Sequence, residues 1–377
     1  MKRQSRTASG SERVAAPRHT LLSEFAARSL PLAVLLFAFS LNVSAQTSWK
    51  KQQTGTFAWL HSVFFVGESR GWAVGGKGAL LATADGGEHW ELRRKPVEDA
   101  LHEIVFTDES TGWIVCERSV FAPMAKDESV SYLLKTSDGG ESWARVDVTR
   151  GDDVDIKLAG LRFADAEHGW VYGEQGVLYA TSDGGRTWSR QRVPTRHLLL
   201  GGAFADAQHG WLSGGGLTLL RTEDGGENWR AGTLYIPISD TQNVVARPRA
   251  GANSSEPAPR AASLPASLRL NAVFFSGSET GWAVGANGAI FYTSDGGRSW
   301  QPQESGVKSD LYDVKFLDAL EGWAVGGEGT ILHTKDGGRV WTRERRATDH
   351  TLESLFFVGR KRAWAVGFGG TVLTFKG

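Results

Sequence analysis

Cysteine is nearly absent from this sequence, since Cys116 is the only one among 377 residues. A single cysteine excludes an intramolecular disulfide, a Cys-x-x-Cys redox pair and a zinc site built from several thiolates. The histidines show no metal-ligand spacing, as is evident for His89, His197, His209 and His333. We therefore expect no metal site and no cofactor, and a fold that is stabilised by side-chain packing.

An excess of charge of either sign is also lacking, because 42 Lys and Arg residues balance 42 Asp and Glu residues. Six of the basic and two of the acidic residues lie in residues 1–45, so a chain without this segment carries a net charge of −4. A mildly acidic protein binds nucleic acid poorly. Nucleic acid is therefore not an expected partner.

Long apolar runs are missing except for one, residues 30–41, which follows a basic segment at residues 1–29. This run is too short for a comfortable membrane span, and the small residues Val43-Ser44-Ala45 that come after it form a cleavage site. We predict a secretory signal peptide in residues 1–45, and an uncleaved anchor helix is the alternative. No cysteine follows the run, so no lipid anchor is expected. The mature protein is then expected in the periplasm or outside the cell.

Glycine and tryptophan, by contrast, are abundant, and they recur together at a fixed period. The pair Gly-Trp, or Ala-Trp in the last copy, stands at Trp72, Trp113, Trp170, Trp211, Trp282, Trp323 and Trp364. An Asp-Gly-Gly-x-x-Trp motif follows the first six copies, and the commonest spacings give a period of 41 residues. Short apolar runs within each period, separated by Gly- and Asp-rich turns, are typical of a four-stranded propeller blade. The sequence therefore predicts an all-β fold, a seven-bladed β-propeller.

The seventh repeat ends without its Asp-Gly-Gly-x-x-Trp motif, and a matching piece stands at the other end of the chain. Thr47-Ser48-Trp49-Lys50 resembles Arg298-Ser299-Trp300-Gln301, and each tryptophan precedes a strand valine by 14 residues. We predict that the mature N-terminal strand closes blade 7, which removes an exposed sheet edge. Residues 46–377 then form a single propeller, with a flexible Pro-, Ala- and Ser-rich insertion at about 233–266.

The Asp-Gly-Gly-x-x-Trp motif resembles the Asp-box, or BNR, repeat of sialidase-type propellers. In a hairpin, the Asp carboxylate can accept hydrogen bonds from turn N–H groups, while glycine takes a positive φ. Because the aspartate recurs from blade to blade, we assign it a structural role and assign no catalytic residue. The six aspartates are Asp85, Asp138, Asp183, Asp224, Asp295 and Asp336. An Asp-box glycoside hydrolase or glycan-binding propeller is the alternative, with Asp152, Asp153 and Asp155 as carboxylate candidates.

With seven blades, these two motifs and a secretory leader, residues 47–377 resemble the photosystem II stability and assembly factor family. That resemblance implies a non-enzymatic exported scaffold, in the thylakoid lumen of a photosynthetic organism or in the periplasm. It also implies an arginine-rich patch that holds a membrane protein during assembly. The expected partner is an envelope or membrane protein, which would be a photosystem subunit if the organism is photosynthetic. The protein itself is expected to be a monomer.

Departures from the 41-residue period suggest where a partner binds. Insertions at residues 117–129, 146–157 and between blades 4 and 5 all fall in loops that strand alternation places on one face of the ring. Basic groups cluster at the same loop edges, so we predict a partner-binding role for Arg93, Arg94, Arg190, Arg192, Arg196, Arg343, Arg345 and Arg346. Loop drift and a solvated outer strand are the alternatives.

Overall fold

Each sequence repeat forms one antiparallel sheet in the computed structural model, which describes residues 49–119, 128–235 and 268–376. Contacts separate Thr47–Gly377 as one unit from Met1–Gln46. The predicted signal peptide, residues 120–127 of the insertion in blade 2 and residues 236–267 of the longest insertion lie outside the described residues.

The strands follow the predicted order A to D within each blade, from the ring centre outward. Blade 1 contains β2 (Leu60–Val66), β3 (Arg70–Gly75), β4 (Leu80–Thr83) and β5 (Glu91–Leu92), and blade 2 contains β6 (Ala100–Phe106), β7 (Gly112–Glu117), β8 (Ser131–Thr136) and β9 (Ala144–Val146). Blade 3 contains β10 (Leu158–Phe163), β11 (Gly169–Gly173), β12 (Leu178–Thr181) and β13 (Ser189–Arg190), and blade 4 contains β14 (Leu199–Phe204), β15 (Gly210–Gly214), β16 (Thr218–Thr222) and β17 (Arg230–Ala231). After β18 (Thr233–Leu234), blade 5 contains β19 (Leu270–Ser276), β20 (Thr280–Gly285), β21 (Ile290–Thr293) and β22 (Ser299–Gln303). Blade 6 contains β23 (Leu311–Phe316), β24 (Gly322–Gly326), β25 (Ile331–Thr334) and β26 (Thr342–Arg343), and blade 7 contains β27 (Leu352–Val358), β28 (Arg362–Gly367), β29 (Thr371–Lys376) and the N-terminal β1 (Lys50–Lys51).

The ring closes as the sequence predicts. The innermost strands contact one another in chain order, and β27 contacts β2 to complete the circle. Strand β1 pairs with β29, with Lys50 opposite Thr374 and Lys51 opposite Leu373. The N-terminal strand thus supplies the outer strand of blade 7, and both the seven-bladed fold and its mode of closure are confirmed.

Packing between blades repeats one aromatic arrangement. Each Gly-Trp tryptophan packs on the phenylalanine near the end of the next blade's inner strand, as in Trp282 on Phe316, whose ring centroids are 3.5 Å apart. The Asp-box tryptophan of that next blade then meets the same phenylalanine edge-on, as Trp341 does at an interplanar angle of 86°. The hydrophobic core is accordingly divided into seven clusters, each built from two consecutive blades.

Glycine in the Gly-Trp pair makes room for that phenylalanine. A Cβ at Gly322 would lie 2.4 Å from the Phe316 ring of the same blade, and the glycines of blades 1 to 5 face the same constraint. Blade 7 carries Ala363 at this position, and there Phe357 is tilted by 39° against Trp323 instead of stacking on it. Glycine at this position therefore lets the phenylalanine stack on the tryptophan of the preceding blade, whereas the blade with alanine has a tilted phenylalanine ring.

The two faces of the ring are distinguished by their loops. Turns between strands A and B meet the Asp-box turns between C and D, as shown by the 2.7 Å hydrogen bond from the Gly86 N–H to the Ser69 carbonyl. We call this side the Asp-box face. Turns between B and C meet the loops that join D to the next A, where a Cβ at Gly78 would contact the Val97 carbonyl. We call this side the insertion face, because the three insertions occur in its loops.

The start of the longest insertion, predicted at about 233, forms the short strand β18. Strand β18 pairs in parallel with β22, which gives blade 5 a fifth strand. The reason is Gly232, whose Cβ would meet the Gly297 carbonyl at 2.6 Å and the Trp300 indole at 2.9 Å. Two equivalent positions, three residues after the Asp-box tryptophan, are occupied by Gln191 and Gln303, whose amides bind the next blade's Asp-box instead.

Loss of the interblade stack should be costly. We expect Trp282→Ala to lower the free energy of unfolding by about 3–5 kcal/mol, because it leaves a large cavity against Phe316. Chemical denaturation measures this difference. An effect below about 1 kcal/mol would contradict the role assigned to the stack.

Removal of residues 46–51 should open the ring, because β29 then loses its outer neighbour and the site of the buried Trp49 is left empty. We expect a large fall in melting temperature and aggregation through the exposed edge. A chain that lacks only residues 1–45 is the matched control. Identical melting of the two truncated chains would mean that β1 does not contribute to closure.

Candidate functional site

The structure places all six Asp-box aspartates in the turns between strands C and D. In blade 3, Asp183 Oδ1 accepts hydrogen bonds from the Thr181 hydroxyl at 2.8 Å and from the Arg186 and Thr187 N–H groups at 2.9 Å. The Thr187 hydroxyl donates to Oδ2 at 2.7 Å. Gly184 and Gly185 take φ values of 69° and 76°, which favour glycine. The carboxylate therefore stabilises the turn that precedes Trp188, the tryptophan that packs edge-on against Phe163.

One Asp-box departs from this pattern. In the other five, a His, Ser, Thr or Asn four residues after the aspartate donates a side-chain hydrogen bond to Oδ2. Blade 6 has Val340 at that position, so residue 340 contributes its backbone N–H to Asp336 Oδ1, at 2.9 Å, but no side-chain donor to Oδ2. The Val340 side chain is 60% exposed on the Asp-box face.

These hydrogen bonds favour the ionised carboxylates. The backbone N–H of His89 is the main cause that lowers the pKa of Asp85 from 3.8 to about 2. The Thr187 hydroxyl, followed by its backbone N–H, holds the pKa of Asp183 well below its usual range. Because the folded-state pKa values are lowered, the stability that these turns supply is present above about pH 4 and is lost as the pH falls toward 2.

Replacement of one carboxylate should affect folding and not recognition. We expect Asp183→Ala to lower the melting temperature at pH 7 and to weaken its fall between pH 4 and 2, because the turn donors lose their acceptor. Val340→Ser is the matched control, since it supplies the missing hydroxyl and should raise the melting temperature. A folded Asp183→Ala protein that has lost all partner binding would instead make this carboxylate functional.

The eight predicted partner-binding arginines fall into three separate groups on the ring. Arg93 and Arg94 follow the outer strand of blade 1. Arg190 ends the outer strand of blade 3, and Arg192 and Arg196 follow it. Arg343 ends the outer strand of blade 6, and Arg345 and Arg346 follow it. At least one blade lies between any two groups, so the structure does not bring them into one patch. Their role in partner binding stays a prediction, and it has to be considered group by group.

The arginines that follow blade 3 line a groove of about 690 Å³ on the insertion face. Its other walls are Asp152, Asp153 and Ile156 from the insertion at 146–157, and the turn after β11. We call this the blade-3 groove. It is the place where a predicted arginine group and a predicted insertion come together.

Within this groove the charges are unevenly matched. Asp153 is buried and accepts from the Arg190 Nε and from the Tyr179 hydroxyl, both at 2.7 Å. Burial first, and then this hydrogen bond, raises the pKa of Tyr179 to about 12. Arg192 and Arg196 are exposed and form no ion pair with any residue that the structure describes. The groove therefore offers two guanidinium groups to an anionic ligand.

In the arginine groups of blades 1 and 6, a larger share of the side chains has an ion-pair or hydrogen-bond partner than in the group of blade 3. Arg93 contacts Glu141 of blade 2 at 3.1 Å, and Arg346 contacts Asp349 at 2.8 Å. Arg343 donates a long hydrogen bond of 3.5 Å to the Thr330 hydroxyl. Arg94 and Arg345 are exposed.

Carboxylates in the central channel serve contacts between blades. Glu103 Oε2 accepts the Leu161 N–H at 2.7 Å, and its other oxygen contacts Arg162. Asp313 accepts the Leu355 N–H at 2.9 Å and binds Lys315 at 2.7 Å. Asp153 is likewise paired with Arg190, so these carboxylates form structural hydrogen bonds and ion pairs. Across residues 49–119, 128–235 and 268–376, no cluster of three His, Cys, Asp or Glu side chains is arranged to hold a metal ion.

Three exposed aromatic side chains on the insertion face were not among the predicted site residues. Phe57, Trp59 and Phe368 lie where blade 7 meets blade 1, and they are 93%, 43% and 48% exposed. A sequence signal existed, because Trp59 is the one tryptophan outside the two that each blade uses. In the part of the chain that the structure describes, no helix has the length and apolarity needed to cross a bilayer.

Seven four-stranded blades with Asp-box turns and a ring closed by the N-terminal strand define a β-propeller of the Asp-box class. The family described as photosynthesis system II assembly factor YCF48 matches residues 41–122, 94–197 and 303–376, which together make up more than half of the chain. The chain belongs to this family. No curated protein sequence matches it.

Similar solved structures share the fold. "YCF48 bound to D1 peptide" is 19% identical with a TM-score of 0.64, over 87% of this chain and 95% of that one. YCF48 from Cyanidioschyzon merolae is also 19% identical, with a TM-score of 0.62 over 87% and 98% of the two chains. A GH74 xyloglucanase from Xanthomonas campestris is 13% identical, with a TM-score of 0.58 over 87% of this chain and 53% of that one. At these identities the likeness concerns the fold alone.

Proposed function

We propose that the protein is an exported, non-enzymatic scaffold that binds a segment of an envelope or membrane protein in the blade-3 groove during assembly. The observation that carries this proposal is the pair Arg192 and Arg196, exposed in a groove with no ion-pair partner among the described residues. Guanidinium groups held on a rigid scaffold bind carboxylates with directional, charge-assisted hydrogen bonds. The partner segment therefore carries at least one carboxylate.

Family membership supports the same function. The family is described as one of assembly factors, and one related propeller has been solved with a peptide of D1 bound. If this organism is photosynthetic, the corresponding partner is a photosystem subunit and the compartment is the thylakoid lumen. Otherwise the partner is another envelope protein and the compartment is the periplasm.

The groove also has the size and lining for a short peptide. Its volume of about 690 Å³ falls within the range of ligand sites in proteins. Ile156 and Val193 supply apolar contact, while Gln175 supplies an amide. Asp153 does not repel an acidic ligand strongly, because Arg190 and Tyr179 already occupy its carboxylate.

Two charge-matched variants test the proposal. A photo-crosslinking residue placed at Thr195 in the groove should capture envelope proteins in intact cells, and Arg192→Ala with Arg196→Ala should reduce capture roughly tenfold or more. Lys335→Ala with Lys361→Ala removes the same charge from exposed positions on the Asp-box face and should leave capture unchanged. Peptides from the captured protein should then bind in solution with an affinity that falls as salt rises.

Both double variants should melt like the wild type, because these side chains are exposed. Unchanged capture by the blade-3 variant, or equal loss from both variants, would remove the groove from the mechanism. A crosslinked partner whose binding segment lacks any carboxylate would do the same.

A further inference from the structure

The seam aromatics, Phe57, Trp59 and Phe368, form an exposed apolar group where the ring closes. Phe57 and Trp59 lie in the loop from β1 to β2, and Phe368 lies in the turn between β28 and β29. Trp59 and Phe368 contact each other edge-to-face, with ring centroids 5.3 Å apart. Phe57 is 93% exposed, so its ring projects into solvent. Exposed aromatic side chains grouped in neighbouring loops in this way indicate an interaction site.

The other blades show that the repeat does not require these aromatics. The position of Phe57, three residues before the first leucine of strand A, is charged in five other blades: Glu98, Asp155, Arg196, Lys308 and Asp349. The position of Trp59 is occupied elsewhere by Ala100, Lys157, Leu198, Arg269, Asp310 and Thr351. The position of Phe368 is occupied by Gly76, Glu174, Gly215, Ala286 and Gly327. The fold is built without an aromatic at any of these places, so the three rings at the seam serve another purpose.

The surroundings of the seam aromatics indicate what they contact. Residues 52–59 and 368–370 carry no charge. The neighbouring loops on either side, in ring order, hold the two remaining basic groups, with Arg94 following blade 1 and Arg345 following blade 6. Lys77 is exposed in the turn at Gly76–Gly78. This turn lies next to Trp59, because the Gly76 N–H donates to the Trp59 carbonyl at 2.8 Å. The aromatic centre is thus flanked by Lys77, Arg94 and Arg345, which are exposed and form no ion pair with a described residue. The ion pairs Lys95–Glu98 and Arg346–Asp349 lie in the same loops.

This composition fits a phospholipid surface better than a peptide. Aromatic rings settle at the level of the headgroups, and nearby Lys and Arg side chains are attracted by anionic lipids. A peptide ligand needs a concave site, whereas Phe57 projects outward, and none of the three rings lines the grooves beside blades 1, 3 and 5. A bilayer accepts projecting side chains without a matching cavity.

We propose that the seam aromatics insert into the interfacial region of an anionic bilayer and hold the insertion face against the membrane. This attachment does not depend on the blade-3 groove, although it would bring that groove close to segments that emerge from the bilayer. It also gives the arginine groups of blades 1 and 6 a role separate from that of blade 3.

A site-specific probe tests this proposal in the full chain. Lys77→Cys keeps all three aromatics and places a thiol beside Trp59, while Cys116 is fully buried and does not compete for labelling. An environment-sensitive fluorophore at this thiol should shift to the blue on vesicles of phosphatidylcholine with phosphatidylglycerol. It should shift less on phosphatidylcholine alone. The same label at Leu320→Cys, on the Asp-box face, should not shift.

Variants of the aromatics complete the test. Phe57→Ser with Phe368→Ala should weaken the response at position 77 roughly tenfold or more in lipid concentration, because two apolar side chains no longer leave water. Leu320→Ser with Val340→Ser removes exposed apolar side chains from the opposite face and should have no effect. Since the label reports its own surroundings, attachment of the chain through residues 30–41 does not mimic the expected result.

Three results would overturn the proposal. These are an equal shift at both labels, an undiminished shift in a folded Phe57→Ser and Phe368→Ala protein, and no shift on vesicles of either composition. The last result would exclude a phospholipid bilayer as the surface that the seam aromatics contact. Peptide binding by Arg192 and Arg196 is measured without vesicles, so failure of one site is distinguishable from failure of the other.

Discussion

Contact between consecutive blades depends on one aromatic interaction, in which the Gly-Trp tryptophan of one blade lies against the phenylalanine of the next. A single blade is a small twisted sheet that cannot bury its own faces, and it becomes stable only between two others. The glycine before the tryptophan leaves space for the ring, and the Asp-box turn orients a second tryptophan against its edge. The other features of the molecule, including the grooves and the loops, are placed by this repeated contact.

Much of the architecture could be predicted from sequence because the residues that determine the strands and turns of a blade lie within one repeat. The Gly-Trp pair, the Asp-box turn and the short strands all lie within 41 residues, and closure could be predicted because Trp49 matches Trp300. The parallel strand β18 could not be predicted, since it depends on the contact of Gly232 with Trp300 of the following blade. The sequence pattern contains no signal for a contact of that kind.

The candidate sites were only partly predictable for the same reason. The arginine groups could be found from their positions in the loops. The sequence did not show that at least one blade separates any two of the groups, so that they do not form a single patch. The blade-3 groove exists because the insertion at 146–157 folds back and buries Asp153 against Tyr179, which spacing does not reveal. Trp59 and Phe368 are far apart in sequence and meet only because the two ends of the propeller share a blade.

Sharing of blade 7 between the two ends also has a consequence for when the protein can fold. The side chain of Gln52 donates to the Thr374 hydroxyl across 322 positions of sequence, and β1 has no strand partner until β29 has been made. Contacts of such high sequence separation form late, because the loop that they close must be ordered first. Blade 7 is therefore complete only when β29 is present to receive β1. Sealing of the ring therefore acts as a completeness check, since a chain that is truncated before β29 leaves its N-terminal strand without a place to pair.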